Sequence, residues 1–472
     1  MANATYMAFI IVYFVVMVAV GLLSRRFTRG ADGFFVAGRK GKTILITGSL
    51  VATIVGGSAT VGMAGMGFSW GLTGMWWLLV GSVGLIILGL FLAKKLRSTG
   101  YYTLPQLAEN QYDKKVSVVT SALIVVAWIG IIAGQIVAAG KIMDIIGIGD
   151  KTIWMIIFTA VFILYTIIGG QRANLRTDIF QSVIIFGGII AALAVVLPKV
   201  GGWSGLEASL PADHFSFPLS DNFGGVTLAT WLLLYGMTYV IGPDMYSRLF
   251  SAKNEKVARN SVLMTAVLII PFALCIVLLG MSAKVLFPAM SSAEAALPLL
   301  IRDQLPLFAG GLVMAAFVGA MMSSSDTCLV STGTILSNDI VKKLKPSLSE
   351  EKTVLVARIS IVVIGVLALL LALQLGSVIS SLIFAYTVYT CAVVIPVFAG
   401  FYKDKLKLTN LGAIAAIIGG GTVAILSKFL DAADYTNKYQ VFIVKYLNLE
   451  ALALSALLLF IVSYIDRRYR SR

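Results

Sequence analysis

Apolar runs of 18 or more residues follow one another from end to end of the chain, separated by short polar punctuation. A run of that length reads as a membrane-spanning helix, because about 20 residues rising about 1.5 Å each cross a hydrocarbon core about 30 Å thick. The pattern predicts thirteen segments, at residues 6–24, 43–71, 74–96, 116–144, 152–170, 176–200, 225–250, 259–287, 308–340, 352–374, 377–401, 408–429 and 444–466. The tightest connections fall near Thr73 and Gly376. The first segment is too long for a signal-peptide core and no small-residue cleavage site follows it, so it is read as a retained span. No polar stretch is long enough for a soluble catalytic module; the longest runs from Gly201 to Gly224.

Composition agrees with this pattern: 59% of the 472 residues are hydrophobic and 12% are charged, against about 25% charged in an ordinary soluble domain. Such a chain needs lipid as its solvent. The formal charge of +15 could point to a nucleic acid, but its placement points to topology. Most of the basic residues fall in alternate connections. These contain Arg25, Arg26, Arg29, Arg39 and Lys40; Lys94, Lys95 and Arg97; Arg172 and Arg176; Arg248, Lys253 and Lys256; Lys342 and Lys343; Lys403 and Lys405; and the tail to Arg472. The positive-inside bias then places the N-terminus outside and the C-terminus in the cytoplasm of a cell-membrane protein, with no nucleic-acid surface. Cys275, Cys328 and Cys391 lie in apolar segments without metal-ligand spacing, and the one histidine, His214, sits in a polar loop.

Three segments are more than plain helices. The second carries Gly56-Gly57-Ser58-Ala59-Thr60 near its middle. Paired glycines followed by hydroxyls either let the backbone open, freeing carbonyls for a cation and N–H groups for an anion, or permit close helix packing. The seventh is punctuated by Tyr235-Gly236-Met237 and Gly242-Pro243-Asp244, five segments later, a spacing that fits two five-helix halves of opposite orientation. The ninth carries Ser323-Ser324-Ser325-Asp326-Thr327 near mid-membrane, a density of hard oxygen donors that backbone-bonding serines do not account for. Asp178, at the start of the sixth segment, is either a second embedded acid of functional use or a residue stabilising a helix dipole.

Several blocks resemble the sodium:solute symporter family: Phe34-Phe35-Val36-Ala37-Gly38-Arg39, Thr103-Leu104-Pro105-Gln106, Gly169-Gly170-Gln171-Arg172-Ala173 leading to Asp178 and Gln181, Gly242-Pro243-Asp244-Met245 with Arg248, and Ala320 through Asp339. They keep their order over nearly the whole chain. The resemblance implies an all-α membrane protein of LeuT-like (APC) fold. Two inverted five-helix repeats, 43–200 and 225–401, would follow one extra helix at 1–24 and precede two more in 408–472. It also implies a sodium site formed by the carbonyls of Ala52, Val55 and Ala320 and the hydroxyls of Ser323 and Ser324, with Asp178 as an ion exit or second ion position. Asp326 and Thr327 stand where members with a second sodium use serines.

The substrate position departs from the sialic acid, sugar and proline carriers that the family contains: Gln135, Ser58-Ala59 and Ile54 stand where those members place their distinguishing polar residues. A small, aromatic-walled, nearly uncharged pocket is expected from Gly56, Gly57, Thr60, Trp76, Gln135, Tyr235, Tyr239 and Thr387, holding an amino acid or a monocarboxylate at N–H groups freed near Gly56. The expected activity is sodium-coupled symport by alternating access. A proton-coupled carrier titrating Asp326 or Asp178 is the nearest rival, and a membrane sensor on the same fold is another. No HExxH helix, nucleophile–base pair or Walker-type loop stands out, so no enzyme is expected.

Overall fold

The computed structural model describes residues 2–24, 30–375, 377–427, 430 and 438–470, and its regular elements are helices. Arg25, Arg26, Arg29, Arg472 and the junction at Gly376 lie outside the described residues. Ten helices are long and apolar enough to cross a bilayer, with Thr43–Ile54 and Asn410–Leu426 as shorter apolar helices. Side chains accept from the exposed N–H groups where several begin: Asp113 from Val116, Asp150 from Thr152 and Ile153, Asn254 from Val257, and Thr409 from Gly412.

Two of the ten run to more than 40 residues. Ser58–Ser98 has 41 residues and Lys151–Lys199 has 49, which as straight rods would run to about 60 and 75 Å. Each turns at a glycine. Gly71 has φ 65° and ψ −140°, and Gly170 has φ 52° and ψ −154°. Gly170 leaves the helical region where a Cβ would lie 2.7 Å from the Phe34 ring and 2.9 Å from its carbonyl, so the bend closes onto the buried Phe34-Phe35-Val36 turn. Asp178 therefore sits eight residues beyond a bend, well inside a helix, and not in a first turn.

The Leu307–Ile335 helix is buried along nearly its whole length. It packs against Lys151–Lys199, Lys114–Ile146 and Ala2–Ser24. Around this centre, helices such as Glu350–Ala372 expose Leu355, Val363 and Leu370 outward, the surface a lipid solvent requires. At one end of the bundle, Glu294 pairs with Lys141 and accepts from the Ser377 hydroxyl at 3.0 Å. That latch ties three separate parts of the chain together. Its short helix also lies on the second segment, since a Cβ on Gly65 would be 2.9 Å from the Ala293 carbonyl.

Candidate functional site

The second segment breaks where its glycines predict. The Thr43–Ile54 helix ends, Val55 adopts φ −86° and ψ 66°, and helical structure resumes at Ser58–Gly62 as a wide i→i+5 turn. A helix end leaves its last carbonyls without intrahelical donors. The Val51 carbonyl recovers one from Val55 N–H, and the Thr53 carbonyl accepts from the Ser324 hydroxyl at 2.7 Å. Ala52, one residue before Thr53, and Val55, two after it, are both fully buried.

Ser324 also approaches the Ala320 carbonyl at 3.2 Å. A hydroxyl has one proton to donate and two lone pairs, so Ser324 keeps acceptor capacity for a cation. Gly56 makes the approach possible: a Cβ there would lie 2.4 Å from Ser324 Oγ and 2.8 Å from Gln135 Oε1. Ser323, about 100° further around the helix, donates to Asp178 Oδ1 at 2.5 Å. Carbonyl and hydroxyl oxygens with no net charge form a donor set that suits a hard alkali cation.

Asp178 is not a free acid. Arg248, wholly buried, faces its carboxylate at 3.3 Å and reaches Ser49 at 3.1 Å, Ser247 at 3.0 Å and the Thr327 hydroxyl. Ser49 donates to the same carboxylate. By charge pattern Arg248 reads as a cytoplasmic loop residue; instead it lies in the core. The chain breaks at Ile241, restarts at Pro243–Ser251 and carries the arginine inward. The signal was present in the sequence as a Gly-Pro break five residues before a lone arginine. Asp326, also buried, receives the Tyr165 hydroxyl and lies 3.3 Å from Thr327 Oγ1.

A small cavity of about 30 Å³ adjoins the break. Of the eight residues expected to line a pocket, Gly56, Gln135 and Tyr239 do. The others are engaged elsewhere. Gly57 N–H donates to Gln135 Oε1 at 2.7 Å, so the amide expected to hold an anion is already satisfied. Thr60 donates back to the Gly56 carbonyl at 2.9 Å, and Thr387 to the Ile383 carbonyl at 2.8 Å. Trp76 bonds the Pro218 carbonyl at 2.8 Å and stacks on Phe217, in the loop region. Tyr235 packs against Trp77 and Trp231. The lining also contains Trp128, Asp244 and Tyr386, so the expectation of a nearly uncharged pocket does not hold. In the sequence Asp244 stands out only as part of the Gly242-Pro243-Asp244 break, with no place in the pocket assigned to it.

The model of the sodium:solute symporter family matches residues 34–420. Among curated proteins, the sodium/glucose cotransporter of Vibrio parahaemolyticus is 27% identical over 462 residues, covering 89% of this chain and 84% of its own. The osmoregulated proline transporter OpuE of Bacillus subtilis is 24% identical, covering 91% and 90%. Among solved structures, a Na+-coupled sialic acid symporter in a substrate-bound outward-open state superposes with a TM-score of 0.81 at 20% identity over 98% of both chains, a likeness of fold. The chain belongs to the sodium:solute symporter family, multi-pass membrane carriers for which sodium is the coupling ion.

Proposed function

We propose that this protein uses sodium to carry a small organic solute, an amino acid or a monocarboxylate, across the cell membrane by alternating access. Thirteen spans are proposed, the breaks at Gly71 and Gly170 each dividing one long helical path into two crossings. Two inverted repeats at 43–200 and 225–401 would lie between one extra helix before and two after, with the N-terminus outside and the C-terminus in the cytoplasm. The broken helices at Val55 and Ile241 then occupy corresponding places in the two repeats.

The observation that carries this reading is the Ser324–Thr53 contact, which joins the end of one broken helix to the polar face of the Leu307–Ile335 helix. Sodium from outside would be held by the carbonyls of Ala52, Val55 and Ala320 and the hydroxyls of Ser323 and Ser324, drawing the two elements together. The Asp178 charge is matched by Arg248, which supports one coupling ion per cycle and not two. Asp178, through Ser323, lies on the proposed route by which that ion leaves.

One ion suffices energetically. Moving one charge inward at 100 mV yields about 2.3 kcal/mol, and a tenfold sodium gradient adds about 1.4 kcal/mol. Together they support accumulation of several hundredfold. The test is uptake of labelled solutes into proteoliposomes under an inward sodium gradient. Uptake that requires sodium and grows with an inside-negative potential supports the reading; uptake driven by a proton gradient regardless of sodium refutes it.

A further inference from the structure

The cavity beside the helix break contains an acid that ion pairing within the protein leaves over. Asp244 is the second residue of the Pro243–Ser251 helix, and its carboxylate lies against the N–H groups of its own residue and Met245. Negative charge is favoured at that end of a helix. No ion pair among the described residues engages it. Arg248, one turn further on, is committed to Asp178, Ser49, Ser247 and Thr327. The field of Arg248 reaches Asp244, but that arginine is paired with Asp178, which leaves Asp244 without an ion-pair partner of its own.

Two further features of the lining define what would match it. Tyr239 and Tyr386 put aromatic rings on the same cavity as Asp244, and ring faces attract a cation. Trp128, 1% exposed, lines it as well, and its indole Nε1–H has no hydrogen-bond partner. A buried donor left unpaired is destabilising, and a bound acceptor would relieve that cost. A carboxylate without its own ion pair, aromatic walls and an unspent N–H donor are complementary to a solute with an ammonium at one end and a carboxylate at the other. A bare monocarboxylate would meet repulsion from Asp244, and a sugar would leave the acid's charge unmatched.

We infer that the transported solute is a zwitterionic amino acid, its ammonium held by Asp244 and its carboxylate accepting from Trp128 Nε1–H. This rests on the carrier reading and narrows it to one of the two solute classes.

The test is thermal stabilisation of the purified protein, in sodium and in potassium, by the neutral L-amino acids, their N-acetyl forms, propionate and D-glucose. At least one free amino acid is expected to raise the melting temperature in sodium, while its N-acetyl form, propionate and glucose do not. Asp244→Asn should weaken that amino acid's apparent affinity at least tenfold and Trp128→Phe severalfold, both retaining stabilisation by sodium alone. Stabilisation by propionate or glucose but by no free amino acid overturns the inference. So does equal binding of the N-acetyl form, or unchanged affinity in Asp244→Asn. The comparison of free and acetylated ligand on the unaltered protein decides the matter even if Asp244→Asn does not fold. Loss of any sodium-over-potassium stabilisation in the unaltered protein would strike the carrier reading instead.

Discussion

The Ser324 hydroxyl donates to the Thr53 carbonyl at 2.7 Å, from the middle of one buried helix to the terminus of another that stops in the protein's interior. Residues 271 positions apart thereby share one bond. Elements so joined can respond together when an ion binds between them.

That closeness depends on Gly56. In Gly56→Ala the new methyl would fall 2.4 Å from Ser324 Oγ and 2.8 Å from Gln135 Oε1, forcing both away. Sodium-driven uptake should fall at least tenfold while the protein still inserts and purifies. Uptake kinetics in proteoliposomes provide the check, and near-normal rates would show that the contact is dispensable.

Arg248 neutralises Asp178 with both groups fully buried. Removing one partner of such a pair leaves an uncompensated charge, at a cost of about 3–5 kcal/mol. Arg248→Met should markedly lower the melting temperature in detergent, and the double variant Arg248→Met/Asp178→Asn should recover much of the loss. Equal destabilisation by the single and double changes would show that the arginine acts through packing alone.

The Glu294–Lys141 latch joins the short Ala293–Ala295 helix to Lys114–Ile146 and, through Ser377, to the Val378–Tyr389 helix. Glu294→Ala removes all of these contacts. Amide hydrogen exchange in residues 293–297 should accelerate at least tenfold, with little change in the Leu307–Ile335 helix. Unaltered exchange would mean that packing over Gly65 holds this region without the latch.

His214 gives a pH signature. Burial pushes its pKa below the ordinary histidine value, opposed by its hydrogen bond to the Phe68 carbonyl. Its backbone packs on the turn at Gly71. Because the folded loop disfavours the proton, the unfolded state binds it first as pH falls below about 6.5. Stability of the docked loop is therefore full above that pH and is lost progressively down through the lowered folded value. Limited proteolysis within residues 201–224 should increase between pH 7.5 and 5.5, and His214→Gln should flatten the dependence.

Much of the architecture was legible because lipid imposes a simple rule: an apolar run of sufficient length crosses, and polar punctuation marks the ends. The interruption at Gly56-Gly57 and the oxygen-rich stretch from Ser323 to Thr327 were visible for the same reason, as departures from what a plain lipid-facing helix needs. The roles of Arg248 and Asp244 were not, although both residues stand in a block that resembles the family. A basic residue after an apolar run reads as a loop charge, and only the restart of the chain at Pro243 turns that arginine toward Asp178. Residue type alone puts Trp76 and Tyr235 in the pocket, whereas ring orientation is set by partners such as Phe217 and Trp231 that lie far along the chain or a turn away.

Sodium binding shared between backbone carbonyls at the broken helix and hydroxyls of the Leu307–Ile335 helix is the proposal on which coupling rests. Its most direct test is a melting-temperature titration with sodium chloride at constant ionic strength, balanced by potassium chloride, in the unaltered protein and in Ser324→Ala. Saturable stabilisation by sodium is expected in the former, with a midpoint displaced at least tenfold higher in the latter. Indifference to which cation is present, or the same midpoint in both proteins, would contradict it.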